Sequence, residues 1–190
     1  MTRDIHTIPD DLPHPPDDHL ADHLPGMRLP QIRLMSTSGV LLDISAQPGL
    51  LALFIYPRTG VPGKPPIVSD WDSIPGARGC TPQTCSFRDL FDEYTALKIA
   101  VFGMSVQSTE YQSEMAQRLH LPFPVLSDEK LAFTHALRLP TFTVAEQVLQ
   151  KRCALAVRNG VILKAFYPVY PPEKNGREVL QYFHELLASG

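Results

Sequence analysis

The chain predicts an α/β fold: a central mixed β-sheet flanked by helices and entered through an N-terminal β-hairpin. Three observations carry this. Residues 50–56 (LLALFIY) form an unbroken apolar run ended by Pro57, the pattern of a strand buried on both faces. Strand-like runs then alternate with segments of helical periodicity, which puts helices over a sheet. Near the end, two apolar runs flank Asn159-Gly160, the strongest short hairpin signal, so part of the sheet is antiparallel. At 190 residues one domain with a real core is expected.

The elements follow in order. Residues 1–25 hold one arginine against six aspartates, with five prolines and four of the seven histidines. Little there can be buried, so the segment reads as an extended or disordered arm, and the domain proper as 26–190. His19 and His23 are four apart beside Asp18 and Asp22, a spacing that on a helix could hold a metal. A solvated polar tail is the plainer reading, since so open a segment has nothing to orient the ligands. Residues 31–35 and 40–44 read as strands around the turn at 36–39. Residues 57–79, with five prolines and four glycines, read as a long loop. A helix is expected over 81–97, where Phe87, Leu90, Phe91, Tyr94 and Leu97 recur at helical spacing. A buried strand at 99–104 follows. Then come a helix at 108–119 opened by Ser108, a short helix at 130–137, strands at 153–157 and 161–167, and a final helix at 176–188.

Composition excludes several functions. A charge of −3 gives no electrostatic case for nucleic acid. The longest apolar run, 49–56, is far below the ~20 residues of a membrane helix. The start MTRD leads into acids and prolines rather than an apolar stretch, so no secretory signal is expected. Three cysteines are an odd number and too few for a disulfide scaffold, which fits a reducing, cytoplasmic setting.

Those cysteines are the chemistry-bearing residues. Cys80 stands in Gly79-Cys80-Thr81-Pro82, and Pro82 is at home in a first helical turn. Unpaired N–H groups and the helix dipole there favour a thiolate, the reactive form. Cys85 follows five residues later. On an intact helix that is about 7.5 Å of rise and about 140° beyond a full turn. A disulfide needs Cα atoms within ~7 Å and converging side chains. If the two are a redox pair, the first turns must unwind on oxidation. Cys85 could instead be a small core residue, as Cys153, inside the run CALAV, is expected to be. A zinc half-site is a further alternative, but four intervening residues is the wide end of ligand spacing and no second close Cys/His pair follows in 26–190.

The order of pieces resembles the peroxiredoxins, most closely the peroxiredoxin Q (bacterioferritin comigratory protein) group. The pieces are Tyr56-Pro57, Pro62-Gly63, Cys80-Thr81, Cys85 and Phe87-Arg88-Asp89. Gly103-Met104-Ser105, Leu126-Ser127-Asp128 and Arg152 complete the match over about residues 26–187. The resemblance implies a thioredoxin-like fold and a thiol-dependent peroxidase. It makes Cys80 the peroxidatic cysteine and Cys85 the resolving one, joined on oxidation in an intramolecular disulfide that thioredoxin or a similar dithiol reduces. Arg152 would hold the thiolate and polarise the peroxide. No cofactor or metal is implied, and the state would be a monomer or a weak homodimer, with apolar residues near Phe166, Tyr167, Val169 and Tyr170 as a possible edge.

One departure is clear. Family members carry a threonine three residues before the cysteine and a proline seven before it; here Pro57 and Cys80 are 23 apart. This fits an insertion at 64–79, which carries the single tryptophan, Trp71. Counting from either side puts Val61 or Ala77 at the threonine's place, and neither has the hydroxyl that in the family bonds the peroxide and the thiolate. Thr59 is the candidate substitute. Without it, a thioredoxin-like redox sensor or binding module with weak peroxidase activity is the alternative. The insertion reads equally as a lid over the site or a packed surface loop.

Overall fold

A computed structural model of the chain describes residues 12–189. The strands are β1 (Leu34–Ser36), β2 (Leu41–Leu42), β3 (Leu50–Ile55), β4 (Ile99–Ser105), β5 (Val125–Ser127), β6 (Thr141–Val144), β7 (Gln147–Gln150), β8 (Cys153–Arg158) and β9 (Val161–Phe166). The helices are α1 (Cys80–Arg88), α2 (Phe91–Ala96), α3 (Thr109–Arg118), α4 (Ala132–Leu137) and α5 (Asn175–Ala188). Seven strands form one sheet in the order β2-β1-β5-β4-β3-β8-β9, and β6 and β7 pair by themselves. β3 runs parallel to β4 and antiparallel to β8, so the sheet is mixed as expected.

All six residues of β3 are buried. Their side chains alternate between two cores. Leu51, Leu53 and Ile55 face one with Phe133, Leu137 and Leu24. Leu50, Ala52 and Phe54 face the other, with Phe87, Tyr94, Met115 and Phe183 from the helices. Helices or chain segments on both sides are what a continuous apolar strand requires. Asn159 (φ 49) and Gly160 (φ 76) make the turn between β8 and β9.

Four expectations are corrected. The helix over 81–97 is two, α1 and α2, separated at Asp89-Leu90. Phe87 and Tyr94 are both fully buried across that break, so the apolar period continues through it and hides it. The hairpin strands at 31–35 and 40–44 are shorter and shifted, and Ile44–Ala46 is a 3₁₀ turn capped by Asp43. β5 and the β6–β7 hairpin were not expected. The β6–β7 turn uses Ala145 (φ 47) and Glu146 (φ 60), residues that give no turn signal. Finally, the 166–170 stretch is not an exposed apolar edge. Val169 is buried, the Tyr170 ring lies 3.8 Å from that of His14, and the Tyr167 hydroxyl donates to Asp18 at 2.6 Å.

Residues 12–25 have neither helix nor strand, yet the segment is fastened to the domain. Ala21 and Leu24 join the first core. Asp18 pairs with Lys151, and the His23 ring lies 2.9 Å from the Leu137 carbonyl, while His19 contacts Asp22. The two histidines are thus committed to different partners. Residues 1–11 of the expected arm lie outside the described residues. Among the described residues no three His, Cys, Asp or Glu side chains are placed to hold a metal ion. Among them also no helix is long and apolar enough to cross a membrane.

Candidate active site

Two register relations build the site. β3 pairs with β8 so that Ile55 faces Cys153, which sets Arg152 beside the outgoing end of β3. The chain leaves β3 at Tyr56, runs through 57–79 and returns to begin α1 at Cys80. Gly79 caps that helix with φ 105. A Cβ on Gly79 would stand 2.4 Å from Pro172 Cγ, so only glycine fits both the left-handed backbone and the space.

Cys80 is 3% exposed, and so is Arg152. Arg152 Nη2 donates to Cys80 Sγ at 3.3 Å. The two hydrogens of the same nitrogen are shared between that sulfur and the carbonyl oxygens of Gly76 (3.2 Å), Ala77 (3.2 Å) and Arg78 (2.9 Å). Nη1 donates to Gln83 Oε1 at 2.7 Å, and Gln83 Nε2 donates to Asn175 Oδ1 at 2.9 Å. Backbone carbonyls and a buried amide therefore hold the guanidinium, and no carboxylate among these contacts competes with the sulfur for its charge. The Cys80 thiol itself can donate to the Ala77 carbonyl at 3.5 Å. Gln83 and Asn175 were not expected from the sequence; Gln83, three residues after Cys80 on the helix, was the available signal.

Cys85 lies further along the unbroken α1, half-buried against the second core, and both cysteines are free thiols. Burial pushes the Cys85 thiol up, against the pull of Arg88. Cys153 is fully buried in β8, and burial drives its pKa to about 12.

Thr59 is buried, and its backbone N–H and hydroxyl both donate to Gln107 Oε1, at 2.9 and 3.1 Å. Gln107 is tied in turn to Gln112, which accepts from the Tyr56 hydroxyl at 3.0 Å. Ala77, one of the two positions counted for the family threonine, is buried and offers its carbonyl to Arg152 and Cys80. Val61, the other, lines a cavity together with Thr59 and Cys80. This cavity holds about 580 Å³. The 64–79 segment supplies part of its wall, including Trp71, which is buried against Ala77, Leu149 and Phe142. The 64–79 segment is therefore packed on the β6–β7 hairpin and also lines the cavity at Cys80.

Cys80 thus stands at a helix start under the buried Arg152, beside the outgoing end of β3 in a thioredoxin-like α/β fold. Comparison with known proteins gives the family. The redoxin family profile matches residues 24–180, and the chain belongs to that family. Among its relatives is peroxiredoxin Q from the chloroplast of Sedum lineare, 30% identical over 126 residues, covering 65% of this chain and 66% of that one. Another is peroxiredoxin Bcp of Bacillus subtilis, 26% identical over 106 residues, covering 55% of this chain and 57% of that one. The matched region thus spans just under two thirds, or less, of these relatives' lengths. Among solved structures, peroxidoxin BcpB of Mycobacterium tuberculosis superposes with a TM-score of 0.69 at 18% identity, over 85% of this chain and 97% of that one. The expected resemblance and the thioredoxin-like fold both hold.

Proposed function

We propose that the chain is a thiol-dependent peroxidase that reduces hydrogen peroxide or organic hydroperoxides. The observation that carries the reading is the Arg152 N–H donated to Cys80 Sγ at 3.3 Å, with Cys80 itself on the lining of a cavity large enough for a peroxide. Cys80 is the peroxidatic residue. Its thiolate attacks one peroxide oxygen; the S–O bond forms as the O–O bond breaks. The departing oxygen takes a proton and leaves as water or alcohol, and Cys80 becomes a sulfenic acid. Arg152 stabilises negative charge on the sulfur and on the oxygens as the bond breaks, a role for a fixed donor in a water-poor site. Thr59 gives its own proton to Gln107 and so offers lone pairs to the hydroperoxide O–H.

Cys85 is the resolving residue. Its thiol condenses with the sulfenic acid, forming the disulfide and releasing water, and a dithiol such as thioredoxin restores both thiols. The unbroken α1 keeps the pair on one helix, so its first turns open before the bond can form. The protein acts in the cytoplasm as a monomer or weak homodimer. Consumption of hydrogen peroxide with a dithiol donor tests the assignment; a Cys80→Ser variant as fast as wild type would sink it.

A second reading, a redox sensor or binding module with weak turnover, is favoured by one observation: the Thr59 proton is committed to Gln107 and Ala77 has no hydroxyl. Stopped-flow oxidation of Cys80 separates the two. A rate no faster than that of a small free thiol would favour the sensor.

A further inference from the structure

Hydrogen peroxide is two oxygen atoms, of the order of one or two water volumes at ~30 Å³ each. A cavity of about 580 Å³ leaves most of its space unused by such a substrate. Its size falls in the range of pockets that take small organic ligands. Part of the lining is apolar: Val61, Pro65, Pro66, Ile67 and Trp71. The charged residues that line it are Arg58, Lys64, Arg78 and Asp72. Asp72 accepts from Arg78 at 2.6 Å, and among the described lining residues the cations outnumber the one carboxylate three to one. Arg58 is held in place, its guanidinium 5.0 Å over the Tyr111 ring, which also lines the cavity. A planar cation stacked on an aromatic face has lost its freedom before a ligand arrives, and its edge N–H groups stay available to a carboxylate.

We infer that this cavity selects organic hydroperoxides that carry an anionic group on an apolar body, and that Arg58 and Lys64 are the residues that read the anion. The inference rests on the peroxidase reading and adds the substrate class to it. The hydroperoxide end reaches Cys80, the body lies against the Pro65–Trp71 wall, and the carboxylate meets the two cations. Lys64 and most of the apolar wall belong to the 64–79 insertion, so the feature that separates this chain from its relatives' spacing is the one that builds the selective surface.

The test compares cumene hydroperoxide with its para-carboxylate analogue, two peroxides of one skeleton that differ in charge, beside hydrogen peroxide. The expected wild-type kcat/KM favours the carboxylate by about tenfold, the size of one charge-assisted hydrogen bond. Added salt lowers this ratio, because Lys64 is exposed to solvent. In Arg58→Gln, Lys64→Gln the ratio falls to about one, and Lys64→Gln alone falls part of the way. Trp71 fluorescence reports whether the wall stays folded. A wild-type ratio of one or less, or a ratio kept by a folded double variant, overturns the inference while leaving the peroxidase reading intact if hydrogen peroxide is still consumed through Cys80. No Cys80-dependent consumption of any of the three peroxides overturns both.

Discussion

Arg152 and Cys80 are 72 residues apart in the chain, and Nη2 of one lies 3.3 Å from Sγ of the other. Four further contacts on the same guanidinium, three carbonyls and Gln83, decide that distance. Lysine has neither the planar fork nor the reach to satisfy them together. Arg152→Lys is therefore expected to slow Cys80 oxidation by about a hundredfold, the usual loss for one fixed donor at a charge-developing centre. Stopped-flow measurement against peroxide checks this, with circular dichroism as the control for folding.

Cys85→Ser separates the two halves of the cycle. The first oxidation does not use Cys85, so its rate is expected to stay within about twofold of wild type, whereas dithiol-supported turnover stalls. Intact mass after one equivalent of peroxide is expected to show one added oxygen in the variant and the loss of two hydrogens in the wild type. A wild-type protein that accumulates stable sulfenic acid would remove Cys85 from the mechanism.

Gly79→Ala tests the helix start. Its φ of 105 strains any L side chain, and the new Cβ would stand 2.4 Å from Pro172 Cγ. Backbone strain costs about 1–3 kcal/mol on its own, and the clash presses on the turn leading into α5. The expected outcome is a lower thermal midpoint together with a slower Cys80 reaction. A variant with wild-type values of both would show that the turn relaxes freely.

Cys153 gives a pH dependence at the alkaline end. Burial raises its thiol from an ordinary 9.0 to about 12, so the folded state keeps a proton that the unfolded state loses. Bound protons are then more numerous in the folded state between those values, and stability falls as pH rises from about 9 to 12. Cys153→Ala is expected to flatten this part of the stability curve, measured by urea unfolding. In native wild type at pH 8, alkylation followed by mass spectrometry is expected to leave Cys153 unlabelled.

Asp18 gives the acid limb. Burial works against its charge, but hydrogen bonds from Lys151 and Tyr167 outweigh it and hold the carboxylate below its ordinary 3.8. A depressed acid contributes stability that is complete above the unfolded value and fades as pH falls through the lower folded one. Asp18→Asn at neutral pH is expected to reproduce the acid state locally. Amide exchange of residues 12–25 should rise about threefold, in keeping with a partly exposed ion pair. Unchanged exchange would mean that Ala21 and Leu24 alone hold the segment.

Much of this was legible before the structure. The run at 50–56 announced a central strand because alternating side chains had to be apolar on both faces. Asn159-Gly160 announced a hairpin because both residues accept positive φ. Ala145-Glu146 makes a turn with the same sign of φ and announces nothing, since ordinary residues take that conformation only when flanking strands impose it. The α1–α2 break was hidden because Phe87 and Tyr94 stay on one face across it.

The amino-acid order alone places Cys80 at a helix start and sets the five-residue step to Cys85, because both follow from local geometry. It also sets Pro57 and Cys80 23 residues apart, which the resemblance reads as an insertion at 64–79. It cannot say that Arg152 meets Cys80, since that depends on the β3–β8 register, or that Gln83 and Asn175 hold the guanidinium. It reads Trp71 equally as lid or surface; packing against Leu149 and Phe142 makes it the wall of a cavity. It leaves residues 12–25 as an arm, where burial of Leu24 and the Asp18–Lys151 pair bind them to the sheet. Each of these contacts joins segments far apart in the chain, and only the tertiary fold meets the entropy cost of bringing them together.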